Sequence, residues 1–256
     1  MNAVVIGGSK GVGFAIANQF ASVYENICIV SRSEENLKNA SASIGELKSK
    51  IFSYQGDIAE KDFGSKLANH LNKTKFGNVD VLICNAGGPP QKLFIETSET
   101  DWESVLETSL LGQIRVVREF IPDMVKNNFG RIIFISSTVA KEPSPAMVLS
   151  ATARSGLSAF VKAVSSEFAK FNITMNVLCL GGVLTDRLES LIADTAHKQN
   201  MDHSDVRANL VRGIPIGRFA TPREIADFVS FLASEKASYI TGTSVPIDGG
   251  LTKGFF

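Results

Sequence analysis

Residues 3–13 read Ala3-Val4-Val5-Ile6-Gly7-Gly8-Ser9-Lys10-Gly11-Val12-Gly13, and the apolar residues Phe14, Ala17, Phe20 and Ala21 follow at helical spacing. A continuous apolar run rich in β-branched residues makes a buried strand. Glycines stop it and a helical period begins at once, so strand, tight turn and helix are predicted in that order. Such a junction places backbone N–H groups at a helix start, where they can hold a pyrophosphate, and the missing Cβ atoms let the phosphates approach. A dinucleotide is the ligand this reading predicts.

The same alternation continues along the chain. Strand-like runs are predicted at Ala3–Ile6, Ile27–Ser31, Ile51–Tyr54, Val79–Cys84, Arg131–Ser136, Thr174–Leu180 and Ser244–Ile247. Helical patterns lie near Val12–Val23, Glu34–Leu47, Lys61–Lys73, Asp101–Asn127, Ser150–Phe171 and Pro222–Ser234. Strands that are apolar on both faces and alternate with helices form a parallel sheet covered on both sides. Right-handed crossovers make it a doubly wound, Rossmann-type α/β sandwich of about seven strands, with its ligand crevice at the carboxyl ends of the strands. There is no repeat and no Pro/Ser-rich linker, so residues 1–256 read as one domain. The polar segment Thr185–Gly213, between a strand and the next clear helix, reads as an insertion over the strand ends, where a substrate lid belongs.

Composition narrows the function. The 256 residues carry 26 basic and 26 acidic side chains, a formal net charge of zero, and no basic block that would meet nucleic acid or an anionic membrane. The first apolar run is far too short for a signal peptide or a membrane span. Cys28, Cys84 and Cys179 each lie in a short apolar run without paired spacing, which reads as buried thiols in a reducing, cytoplasmic setting. His70, His197 and His203 are scattered without ligand spacing, so no metal site is expected.

The glycine spacing Gly7-x-x-x-Gly11-x-Gly13 resembles the cofactor loop of the short-chain dehydrogenase/reductase family, in the manner of 3-oxoacyl-[acyl-carrier-protein] reductases, and further matches follow in that family's order. Asp57-Ile58 resembles its adenine-contacting pair, and Asn85-Ala86-Gly87 its turn beside the cofactor. Leu180-Gly181-Gly182-Val183-Leu184-Thr185 resembles its Pro-Gly-x-x-x-Thr stretch near the nicotinamide, with Leu180 in place of the proline. Tyr239-Ile240-Thr241-Gly242 through Asp248-Gly249-Gly250 resembles its C-terminal signature. The resemblance implies that Gly7, Ser9, Lys10, Gly11, Val12, Gly13, Asp57, Ile58, Asn85, Ala86, Gly87, Gly181, Val183 and Thr185 line the cofactor. An NAD site would carry an acid at the end of the second strand; here Ser31-Arg32 stands there, and Lys10 precedes Gly11. In the family that basic pair marks a preference for the ribose 2′-phosphate, and two cations neutralise a dianion that an acid would repel. NADP(H) is therefore the expected cofactor.

The catalytic positions that the resemblance implies are altered. Ser137 matches the family's serine, but the tyrosine position falls on Ser150, the lysine position on Arg154, and the supporting asparagine on Ser109. The chain's three tyrosines, Tyr24, Tyr54 and Tyr239, lie in segments that cannot fill the gap. A phenol of pKa ~10 beside an ammonium can exchange protons near neutrality. A serine hydroxyl is far too weak an acid, and an arginine keeps its proton. Four-residue spacing still puts Ser150 and Arg154 on one helix face. Two readings stay open: a carbonyl reductase with a rebuilt site, its proton supplied by water or by Lys141 in the loop after Ser137, and an NADP(H)-binding homologue without turnover, acting as a sensor or partner subunit. A ketone or 3-oxoacyl thioester is the substrate class implied. The apolar breadth of the helices at Asp101–Asn127 and Ser150–Phe171 points to a homodimer or homotetramer, and the terminal Phe255-Phe256 reads as a segment that docks on a neighbour or frays.

Overall fold

The computed structural model describes residues 1–44 and 49–254. The end of the second predicted helix, at 45–47, and the Phe255-Phe256 tail lie outside the described residues. Seven strands form one sheet: β1 (Asn2–Ile6), β2 (Asn26–Ser31), β3 (Lys50–Gln55), β4 (Val81–Cys84), β5 (Gly130–Ser137), β6 (Ile173–Leu180) and β7 (Ser244–Ile247). Their order is β3-β2-β1-β4-β5-β6-β7 and every pairing is parallel. The order reverses between β1 and β4, which opens a crevice at their carboxyl ends.

Alternate residues of each strand feed opposite cores, as the two-residue period of a strand requires. Ala3, Val5, Ile27, Ile29, Ile83 and Ile133 pack with α1 (Gly11–Phe20), α2 (Glu34–Ile44) and α9 (Pro222–Leu232). Val4, Ile6, Cys28, Leu82, Phe134 and Val177 pack with α3 (Phe63–Lys73), α5 (Gly112–Asn127) and α6 (Val148–Phe168). Both faces are apolar because both are covered.

The long helix predicted at Asp101–Asn127 is not continuous. It comprises α4 (Glu99–Leu106), a π-helical turn at Glu107–Leu111, and α5. Ser98 starts it two to three residues earlier than expected, its hydroxyl accepting from Asp101 N while Asp101 accepts from Ser98 N. The π turn leaves Ser109 buried, and Gly112 is the residue that fits beside Ile58, where a Cβ would stand 2.3 Å from the Ile58 carbonyl oxygen. A single π turn inserts only one residue into the helical period, too little to register in the apolar pattern. Residues 185–213 fold into α7 (Asp186–Gln199) and α8 (His203–Arg212), which share a small core of Leu188, Ile192, Ala196, Val206, Ile214 and Phe219.

Candidate active site

The turn after β1 is held by close backbone approach. Gly7 (φ +67°) and Gly11 (φ +54°) have left-handed backbones that favour glycine. A Cβ on Gly13 would stand 2.0 Å from the Gly7 carbonyl oxygen and 2.7 Å from Asn85 Nδ2. Asn85 itself donates through Nδ2 to the Gly7 carbonyl at 3.2 Å, tying the end of β4 to the loop. Helix α1 begins at Lys10 without a side-chain cap, whereas α7 and α9 are capped by Thr185 and Thr221. The first-turn N–H groups of α1 therefore remain for an external anion.

A cleft of about 360 Å³ opens at the β1/β4 reversal. Gly7, Arg32, Asp57, Ile58, Asn85, Ala86, Gly87 and Ser109 line it, together with the Gly88-Pro89-Pro90 loop. Arg32 is largely exposed and stands 3.9 Å from the Asp57 carboxylate. Ser9, Lys10, Gly11 and Val12 border the glycine turn, and Gly11 abuts Thr185, whose Cγ2 would meet a Gly11 Cβ at 3.2 Å. That contact brings Gly181–Thr185, which leaves β6, against the turn. Thr185 Oγ1 receives Leu188 N at 3.4 Å, so its hydroxyl starts α7 as well.

Ser137 ends β5, and Ser150 and Arg154 lie one turn apart on α6. Arg154 is only 7% exposed. Its Nε donates to Ser150 Oγ at 3.1 Å and its Nη1 to the Ile135 carbonyl at 3.1 Å, two residues before Ser137. Burial, with a small push from Arg187, pulls Arg154 down to about 10, so it stays charged at neutral pH. Lys141 follows the short 3-10 turn after β5. Its charge and that of Arg154 oppose the upward push that burial gives the Cys179 thiol, which places both cations near the end of β6. Ser109 Oγ is buried without a hydrogen-bond partner in the π turn. That turn lies against α6, for a Cβ on Gly156 would come within 3.3 Å of Leu110.

No tyrosine is near. Tyr24 follows α1 at the amino end of the sheet, pushed up to about 12 by burial. Tyr54 lies on the edge strand β3, against Phe63 and His70, and Tyr239 is fully exposed before β7. Among the described residues no group of three or more His, Cys, Asp or Glu is placed to hold a metal ion, and no helix is long and apolar enough to cross a membrane. The three cysteines are buried free thiols.

One contributor escaped the sequence. Arg187, in the first turn of α7, donates through Nη2 to the carbonyls of Pro89 (2.9 Å) and Gly88 (3.4 Å). Lys198 Nζ reaches the Gln91 carbonyl at 3.2 Å. The α7 helix is thus bound to the cleft's rim. A cation in a helix's first turn opposes the helix dipole, and that was the available signal.

Residues 7–252 match the enoyl-(acyl carrier protein) reductase family. The chain is 34% identical over 250 residues to a Chlamydia muridarum 3-oxoacyl-[acyl-carrier-protein] reductase, covering 97% of this chain and 96% of that one. Its Aquifex aeolicus counterpart is 31% identical over 97% of this chain and 96% of its own. Two solved structures superpose closely. One is YwfH, an NADPH-dependent reductase involved in bacilysin biosynthesis (TM-score 0.93, 29% identity, 99% of each chain). The other is the L-sorbose reductase of Gluconobacter frateurii complexed with NADPH and L-sorbose (TM-score 0.93, 28% identity, 99% of this chain and 97% of that one). With the parallel sheet, the glycine turn and this match over nearly its whole length, the chain belongs to the short-chain dehydrogenase/reductase family of oxidoreductases.

Proposed function

We propose that this protein is an NADPH-dependent carbonyl reductase whose proton-handling site is rebuilt around Ser137, Ser150 and Arg154. The observation that carries the proposal is the ordered Arg154–Ser150 contact, fixed to the β5 backbone beside Ser137. A site drifting without use has no reason to keep a buried cation aligned on a hydroxyl.

The cradle fits a dinucleotide: uncapped N–H groups, glycines packed too closely for a Cβ, and a cleft at the strand ends. The Gly7–Gly13 turn, with Ser9 and Val12, would hold the pyrophosphate, and Lys10 and Arg32 the 2′-phosphate. Asp57 and Ile58 would meet the adenine, and Asn85–Gly87 with Gly181, Val183 and Thr185 the nicotinamide half. NADPH bound there supplies a hydride to a carbonyl carbon. The Ser137 hydroxyl polarises that carbonyl. Ser150 accepts from Arg154 Nε, which leaves its O–H free to hydrogen-bond the developing alkoxide without giving up the proton. The fixed charge of Arg154 stabilises that alkoxide but cannot release a proton at neutral pH. The proton comes from Lys141 or from water, and Ser109, lining the cleft, is positioned to hold such a water.

Residues 185–213 act as a lid on this reading, since Arg187 and Lys198 already bind α7 to the rim. The chain works as a single domain in a homodimer or homotetramer built on the α4–α5 and α6 faces, and its reduced, buried cysteines suit the cytoplasm. The absence of a nearby tyrosine favours a second reading, cofactor binding without turnover. A panel of ketones, 2-oxo and 3-oxo acids and 3-oxoacyl thioesters decides between them. Oxidation of NADPH by at least one is expected, and tight NADPH binding with none oxidised would overturn the reductase proposal.

A further inference from the structure

Arg154 is a buried cation without a counter-ion among the described residues. Among the described residues neither it nor Arg187 has a carboxylate at ion-pair distance, and every contact accounted for is a hydroxyl or a backbone carbonyl. Two acids of neighbouring segments are engaged elsewhere. Asp248 accepts from Gly250 N, Thr252 N and Thr252 Oγ1, and Glu142 accepts from the backbone N–H groups of Lys253 and Gly254. The two arginines nevertheless converge. A Cβ placed on Gly88 would lie 3.8 Å from Arg154 Nη2 and 3.9 Å from Arg187 Nη2. Like charges brought together at a cleft wall, one of them desolvated, are stabilised by an anion between them.

Cofactor phosphates belong at the glycine turn, and ribose hydroxyls carry no charge, so neither supplies that anion at Gly88. We infer that the substrate supplies it: a carboxylate one or two carbons from the reacting carbonyl, held between Arg154 and Arg187 over Gly88. The inference rests on the reductase reading for the word substrate, but the anion site itself does not. The short tether follows from geometry. Arg154 Nε is bonded to Ser150, which is assigned to the substrate oxygen, so carbonyl and anion lie within the span of one guanidinium. The substrate class is therefore a 2-oxo or 3-oxo carboxylic acid rather than a thioester, whose acyl group is uncharged there.

The test measures binding as well as turnover. A set of 2-oxo and 3-oxo acids, each paired with its methyl ester, is titrated into the NADPH-loaded and the free protein, with oxamate and malonate as non-reducible probes. At least one acid is expected to bind about tenfold or more tightly than its ester. Arg187→Gln should cut that acid-to-ester ratio about tenfold while the Kd for NADPH stays unchanged; Arg187→Lys should recover part of it. Equal binding of acid and ester, no acid binding at millimolar concentration, or an equal loss for both in Arg187→Gln would overturn the inference, the last marking Arg187 as a loop support only. Selective acid binding without NADPH oxidation would sustain the anion site and sink the reductase reading. Equal reduction of acids and esters would do the reverse.

Discussion

Replacing Arg154 by methionine removes the charged head and keeps an unbranched apolar stem, so it separates a residue held for chemistry from one held for stability. Burial pulls the Arg154 guanidinium well below the ordinary arginine range, to about 10, which amounts to about 3 kcal/mol against the charged form in the fold. A base whose folded pKa is depressed carries that penalty in full below about pH 10, and stability returns only as pH rises from there toward the ordinary arginine range. Against it stand two charge-assisted hydrogen bonds, to Ser150 Oγ and the Ile135 carbonyl, at about 1.5 kcal/mol each. The two contributions nearly cancel. Arg154→Met is therefore expected to change stability by no more than about 1 kcal/mol, a Tm shift within about 4 °C for a chain of this size, while NADPH oxidation is lost.

Arg131→Met is the control. Arg131 is fully buried at the opposite end of the sheet and donates to the carbonyls of Gly130 (2.8 Å) and Asn172 (2.7 Å), to Asn172 Oδ1 (3.3 Å) and to the Ser234 carbonyl (3.5 Å), with its guanidinium over the Phe129 ring. Burial also pulls it down, but Glu235 opposes that. Removing it strands several carbonyls at once and should cost about 3 kcal/mol or more. Thermal melts and urea titrations of both variants, with NADPH-oxidation assays, make the comparison. A fall of about 3 kcal/mol in Arg154→Met, equal to that in Arg131→Met, would refute the assignment of Arg154 to the chemistry.

Gly13→Ala forces a methyl to within 2.0 Å of the Gly7 carbonyl oxygen; fluorescence titration should show NADPH affinity down more than about tenfold, with a stability loss of about 1–3 kcal/mol. Arg32→Glu removes a cation from the cleft and adds an acid beside Asp57, so the NADPH-to-NADH affinity ratio should fall at least about tenfold; an unchanged ratio would show that Arg32 does not meet the 2′-phosphate. Cys28 is fully buried and its thiol is pushed up to about 12 by burial alone, so thiol reagents should leave it unlabelled in the folded protein at pH 8 and label it in urea.

The alternation of apolar runs and helical periods determined the sheet, its parallel sense and the position of the glycine turn, because strands buried on both faces and a strand–glycine–helix junction leave a local signature. The residue types at 109, 150 and 154 were equally plain, since identity needs no geometry. Tertiary structure alone decided what those residues do to one another. The π turn that buries Ser109 runs into Gly112, which packs against Ile58, more than fifty positions earlier in the chain. The convergence of Arg154 and Arg187 on Gly88 joins three segments from α6, α7 and the loop after β4. Such long-range charge placement has no period and no motif, so the chain reveals its cofactor loop by reading and the convergence of its two arginines only by folding.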